Sequence, residues 1–317
     1  MSLAMDLKRI KPTWIGLVMV AILTLTAACS TSQTDTPSPP FNLPTSASTT
    51  TANTAKQSPT AASGTTVPVN LAVNFGTIDL TILNIQQAQH FDDDGITEGD
   101  SIIRVNFKEA NNTDRNAAYS YDNVARLILT DGSSIAPGYT KNGRPPVGGS
   151  TQVNWLDFPV SAGTGTSGLI LRLGNQQQAQ MDIPLKEKAD LSQYQPKIVQ
   201  LNKSVTQGKA TWKLTQATLR WSGAGKQAEK GMRYVILQLE VTASSNINYG
   251  LGENARLKAG DSTATADYDG TTIPSSLAGG TNAKGIATFQ VPQGVTNYTF
   301  LLLGDESTPE AKIDFQI

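Results

Sequence analysis

The chain has 317 residues, 25 Lys plus Arg against 26 Asp plus Glu, and a net charge of −1. That balance offers no basic surplus to a phosphate backbone, so nucleic-acid binding is not expected. One Cys and one His exclude a disulfide framework within the chain and any zinc site built from several His, and Ser-His-Asp catalysis would depend wholly on His90.

The N-terminus has the layout of an export signal. Lys8, Arg9 and Lys11 form a positive segment, residues 15–26 are almost wholly apolar, and Ala27 and Ala28 are the small side chains that a signal peptidase requires. The apolar run is shorter than the ~20 residues of a permanent membrane helix. Cys29 follows the small pair directly, which looks like a bacterial lipobox, with Thr26 standing where such signals usually carry Leu. That resemblance implies cleavage after residue 28 and a diacylglycerol on the Cys29 thiol. The alternative, an ordinary secretory signal with Cys29 unmodified, would export an exposed free thiol into an oxidising compartment. Two or three acyl chains, at roughly 0.8 kcal/mol per buried methylene, anchor a protein without spanning the bilayer. The expected location is the extracytoplasmic face of a bacterial cell membrane, reached through lipid on Cys29.

Residues 29–66 hold the lipidated Cys and a Ser/Thr/Pro-rich stretch with hardly a large apolar side chain. Such a composition does not offset its ordering entropy, so a disordered tether is expected. Its reach is roughly 35 Å as a flexible coil and about 115 Å when fully stretched. With the signal and its charges removed, 22 basic residues face 25 acidic ones, a formal −3.

The rest of the chain repeats. Gly76 is answered by Gly208, Ile103 by Val235, Ala125 by Ala255, Gly148 by Gly279 and Gly174 by Gly304, at offsets of 130 to 132 residues. This predicts two copies of one domain, 67–185 and 197–317, joined by a polar linker, 186–196, that ends in Pro196. Within each copy the apolar period is two. Ile103, Val105 and Phe107 alternate with Arg104, Asn106 and Lys108, and Val235, Leu237, Leu239 and Val241 alternate with Ile236, Gln238 and Glu240. About seven short strands per copy, with Gly, Asn, Asp and Ser between them, predict an all-β fold of two tandem immunoglobulin-like antiparallel β-sandwiches. The inter-sheet disulfide of antibody domains is absent, so the expectation concerns architecture.

Cys29, the strand 234–242 and the late strand "GIATFQVPQG" at 285–294 resemble bacterial lipoproteins of unknown function that carry immunoglobulin-like domains. That family is related in fold to a secreted mycobacterial immunoprotective antigen. The first copy matches it less closely, with "NWLDFPV" at 154–160. The resemblance covers most of the chain and implies fold and address; its motifs are packing patterns and transfer no catalytic residue.

Four groups are candidates for chemistry or binding. The acidic loop with Asp92, Asp94, Glu98 and Asp100 offers oxygens for calcium but lacks EF-hand spacing and has no acidic counterpart in the second copy, so a solvated hairpin loop is expected, with weak calcium binding as the alternative, and no metal or cofactor is assigned. His90, beside it, reads as an exposed loop residue. Trp155, Trp212 and Trp221 align with or near Ile286, Leu80 and Phe91, which favours packing over a sugar platform. Tyr119, Tyr121 and Tyr249 fall in loops at one end of each copy, where an exposed binding surface is expected. The resulting expectation is a non-enzymatic surface module that binds a protein, wall polymer or carbohydrate. The alternatives are a surface hydrolase with paired carboxylates between the domains, and a structural spacer.

Overall fold

In the computed structural model, residues 64–96, 99–304 and 308–317 are described, and Cys29, the signal segment and most of the tether lie outside them. The described residues belong to one compact unit. The first copy comprises β1 (Thr65–Phe75), β2 (Ile78–Ala88), β3 (Ser101–Ala110), a helical turn α1 (Tyr121–Val124), β4 (Ala125–Ile128), β5 (Ser134–Ile135), β6 (Tyr139–Thr140), β7 (Thr151–Val160), β8 (Ile170–Leu173) and β9 (Met181–Pro184). One sheet has the order β1-β2-β3-β7-β6 and the other β5-β4-β8-β9, with every pairing antiparallel.

After a short 3-10 turn (Ser192–Tyr194), the second copy begins with β10 (Lys197–Gln207), β11 (Ala210–Arg220), a small hairpin of β12 (Ser222–Gly223) and β13 (Lys226–Gln227), β14 (Met232–Ala243) and β15 (Ile247–Asn248). It continues with α2 (Leu251–Asn254), β16 (Ala255–Ala259), β17 (Ser262–Thr265), β18 (Ser276–Leu277), β19 (Asn282–Pro292), β20 (Asn297–Leu302) and β21 (Ala311–Gln316). Its main sheets are β10-β11-β14-β19 and β17-β16-β20-β21. The fold is therefore all-β, as the period-two patterning requires. Strands β2 and β3 are neighbours in one sheet, as are β11 and β14, whereas antibody domains place the second and third main strands in opposite sheets.

Each copy closes on its own apolar cluster. Phe75, Ile82, Ile103 and Phe158 meet Leu127, Leu171 and Ile183 in the first, and Trp212, Leu237 and Phe289 meet Leu257, Phe300 and Ile313 in the second. The irregularities repeat as faithfully as the core. Strand β1 bulges between Pro68 and Leu71 and β10 between Gln200 and Lys203, each with an Asn, Asn70 or Asn202, at positive φ. Asn is among the few side chains that tolerate this backbone region, which both bulges use. A second bulge lies between Ile82 and Asn84, and again between Leu214 and Gln216.

Candidate functional site

The outer face of the first copy's larger sheet differs from the alternation read in the sequence. Arg104 points away from the core, yet the residue is only 5% exposed because the loop after β2 folds over it. Its Nε and Nη2 donate to Asp157 Oδ1 and Oδ2 at 2.7 and 2.8 Å, and Nη1 donates to Asp93 Oδ1 at 2.7 Å. The guanidinium also lies over the rings of Phe91 and Trp155, at 4.0 and 4.5 Å from their centroids. Burial pulls Arg104 down, and the contacts with Asp157 and Asp93 overcome it and leave the group above its ordinary value. Burial pushes Asp157 up, and Arg104 recovers only part of that shift. Three acids of the loop thus have separate uses: Asp93 serves Arg104, Asp94 accepts the Phe91 amide at 2.6 Å, and Asp100 accepts the Ala162 amide at 3.2 Å, while Asp92 is exposed and Glu98 lies outside the described residues. His90 is an exposed residue 3.7 Å from Asp94.

The tyrosines expected at an exposed surface are packed instead. Tyr121 is fully buried, with its ring edge-on to Phe107 and Tyr119, and its hydroxyl donates to Glu109. Tyr119 packs in turn on Phe75. Glu109 is also fully buried and accepts from Gln152 Nε2 at 2.6 Å and Asn154 Nδ2 at 3.1 Å, so amides and a phenol replace its water. Burial holds its carboxyl above the usual range against those hydrogen bonds. Tyr249 leans on the buried Trp212 at 5.2 Å and donates to the Asn254 carbonyl. A loop position did not imply exposure, because each ring packs on a core aromatic or on a ring that does, and the Tyr121 and Tyr249 hydroxyls have partners within their own copy. Trp212 is core, while Trp221 packs against Tyr194 and donates to the Gln193 carbonyl at 2.8 Å.

That last contact belongs to a junction that the repeat alone did not reveal. Asn74 at the end of β1 accepts from Arg220 Nη2 at 2.7 Å and Ser222 Oγ at 2.6 Å, while its own amide donates to Asp79 at 2.7 Å. Gln227 accepts the Gly76 amide at 3.4 Å and donates to the Ala179 carbonyl at 2.7 Å. Ala179 and Ala228 join through a 2.8 Å backbone bond, and Lys230 donates to Gln177 at 2.8 Å. The β12–β13 hairpin is therefore the second copy's docking element. Its counterpart in the first copy is the acidic loop, which folds over its own sheet.

A cavity of ≈ 200 Å³ sits where the copies meet, with Thr77 and Arg115 from the first facing Arg220, Ala224, Ile236 and Ile286 from the second. Two of its wall residues carry buried polar atoms without a hydrogen-bond partner, Thr77 Oγ1 and Arg220 Nε. Burial pulls the Arg220 guanidinium below its ordinary value, and Asp79 acts in the opposite direction. Thr77 has a φ of 73° and Ala224 of 51°, a left-handed backbone that β-branched Thr rarely adopts. Asp269 and Gly270 also line the wall, and their neighbour Tyr268 is 91% exposed. Neither Arg220 nor Tyr268 stood out in the sequence. Comparing the copies position by position would have flagged Arg220, which takes the place of Ala88 at the offset of 132.

Among the described residues, no helix is long and apolar enough to cross a membrane. No family model matches the chain, and no curated protein matches it. Two solved structures are similar over part of it. A conserved hypothetical protein from Bacillus anthracis has 12% identity and a TM-score of 0.31, covering 38% of this chain and 97% of that one. A functionally unknown protein from Listeria monocytogenes EGD-e has 10% identity and a TM-score of 0.29, covering 38% of this chain and 88% of that one.

Proposed function

We propose that the protein is a lipid-anchored, non-enzymatic module of the bacterial cell surface, which presents the junction face of its two sandwiches to a protein, wall polymer or carbohydrate of the envelope. The observation that carries this reading is the exposed Tyr268, standing beside a cavity walled by both copies. Tyr268 precedes Asp269, whose carbonyl accepts from Arg115 Nη1 and whose carboxylate pairs with Lys226, and an exposed aromatic ring next to such held polar groups has the make-up of a binding hot spot. The many bonds across the junction hold that face in one shape, which lowers the ordering cost of binding. The Cys29 pattern and the composition of the tether support the anchor and the distance from the membrane.

The test is retention of detergent-extracted full-length protein on purified cell-wall sacculi and on immobilised membrane proteins of the producing bacterium. Tyr268→Ala is expected to lower retention on one of them about tenfold or more. A change at the exposed Ile198, Ile198→Ala, is expected to leave it unchanged. Equal retention of both variants, or none for the wild type, would overturn the reading.

A further inference from the structure

The two copies use the same place on the sheet in opposite ways. In the first, Arg104 faces Asp157 across the β3–β7 pair, and Trp155 lies opposite Asn106. In the second, the same registers hold Ile236 opposite Thr288 and Ile286 opposite Gln238. The first copy therefore fills its site with its own guanidinium, stacked between Phe91 and Trp155. The second has neither that filling side chain nor its carboxylate, and the junction cavity lies over the apolar floor of Ile236 and Ile286.

What the cavity offers is an apolar floor and two uncommitted donors. Arg220 has one hydrogen-bond acceptor, the neutral Asn74 Oδ1, while its Nε is buried without one. Thr77 lines the same cavity with a buried hydroxyl that has no partner. A guanidinium with no carboxylate hydrogen-bonded to it is costly inside a protein, and a planar carboxylate is the group its fork fits. The volume is too small for a drug-sized molecule and suits a body of a few carbon atoms. Aspartates in the wall, Asp114 and Asp269, disfavour a multiply charged anion.

We propose that the junction cavity binds a small organic monocarboxylate, with its carboxylate on Arg220 and Thr77 and its short aliphatic body on Ile236 and Ile286. This deepens the binding reading given above, since it assigns a ligand class to the same junction. It also makes the ligand a bridge between the copies, because Thr77 belongs to one and Arg220 to the other.

Titration calorimetry of the full-length protein in detergent with acetate, butyrate and 3-methylbutyrate tests the proposal, with butanol, butylammonium and inorganic phosphate as comparison probes. Saturable binding of butyrate is expected, tighter than acetate by about fourfold per added methylene. Arg220→Gln is expected to weaken it tenfold to a hundredfold, the effect of losing a charge-assisted hydrogen bond. Because Arg220 also bonds Asn74, two variants that leave it in place serve as checks. Ile286→Trp puts the first copy's residue into the floor and should abolish binding, and Thr77→Val should weaken it about fivefold. Absence of binding, equal binding of butanol or phosphate, or unchanged affinity in Ile286→Trp would overturn the proposal. Wall or membrane-protein retention, read through Tyr268→Ala, is scored separately, so a failure of the ligand class is distinguishable from a failure of the surface reading.

Discussion

The second copy supplies the control for the first copy's buried ion pair. Asp157 is fully buried and receives two hydrogen bonds from Arg104, itself 5% exposed, so each charge depends on the other. Removing one partner of such a pair costs about 3–5 kcal/mol. For Asp157→Thr the lower figure applies, because Asp93 and the two aromatic faces still hold the guanidinium. For Arg104→Ile the carboxyl is left without its donors and takes up a proton instead. The double variant Arg104→Ile/Asp157→Thr copies the Ile236–Thr288 pair that the second sandwich carries at the same register. It removes both buried charges together and loses the stacking on Phe91 and Trp155 and the bond to the exposed Asp93, a loss of about 1–2 kcal/mol. A coupling energy of about 3 kcal/mol or more is therefore expected, measured by urea unfolding of the wild type, both single variants and the double variant. Additivity of the two single effects to within about 0.5 kcal/mol would refute the view that the two charges stand or fall together.

Two further outcomes follow from the same core. Glu109 has its carboxyl raised by burial, so the folded state holds the proton over a pH range where the unfolded chain has released it. Its contribution is fully present below the unfolded value of about 4.3 and is lost as the pH rises through the folded value. Wild type should accordingly gain stability over Glu109→Gln as the pH falls from 7 toward 4.3, measured by thermal or urea unfolding, and a pH-independent difference would contradict this. Gly76→Ala should destabilise the first copy by about 1 kcal/mol or more, because φ is 55° there and the new Cβ would lie 2.6 Å from the Tyr119 ring. A melting temperature equal to that of the wild type would count against that packing.

What was legible in the sequence was whatever periodicity and repetition encode. The alternation in 234–242 shows which side chains enter the core, and the offset of 132 places Trp212 on Leu80, as the registers do. Long-range polar chemistry was not legible. Arg104 and Asp157 lie 53 residues apart, and nothing local tells an outward-facing Arg in water from one covered by a loop. The tyrosines failed for a related reason, since Tyr121 follows a polar stretch that returns to the sheet and buries its hydroxyl on Glu109. The copies themselves held unused information. Where one has Arg and Asp and the other Ile and Thr, two versions of one fold solve the same space differently, and the junction cavity lies at that place.

The most direct test of the account is the intact mass of the native protein extracted from membranes, compared with Cys29→Ala. The wild-type chain is expected to begin at Cys29 and to carry the mass of two or three acyl chains, with the acylated species lost in the variant. An unacylated wild-type chain, or one cut elsewhere and recovered from the medium, would contradict it.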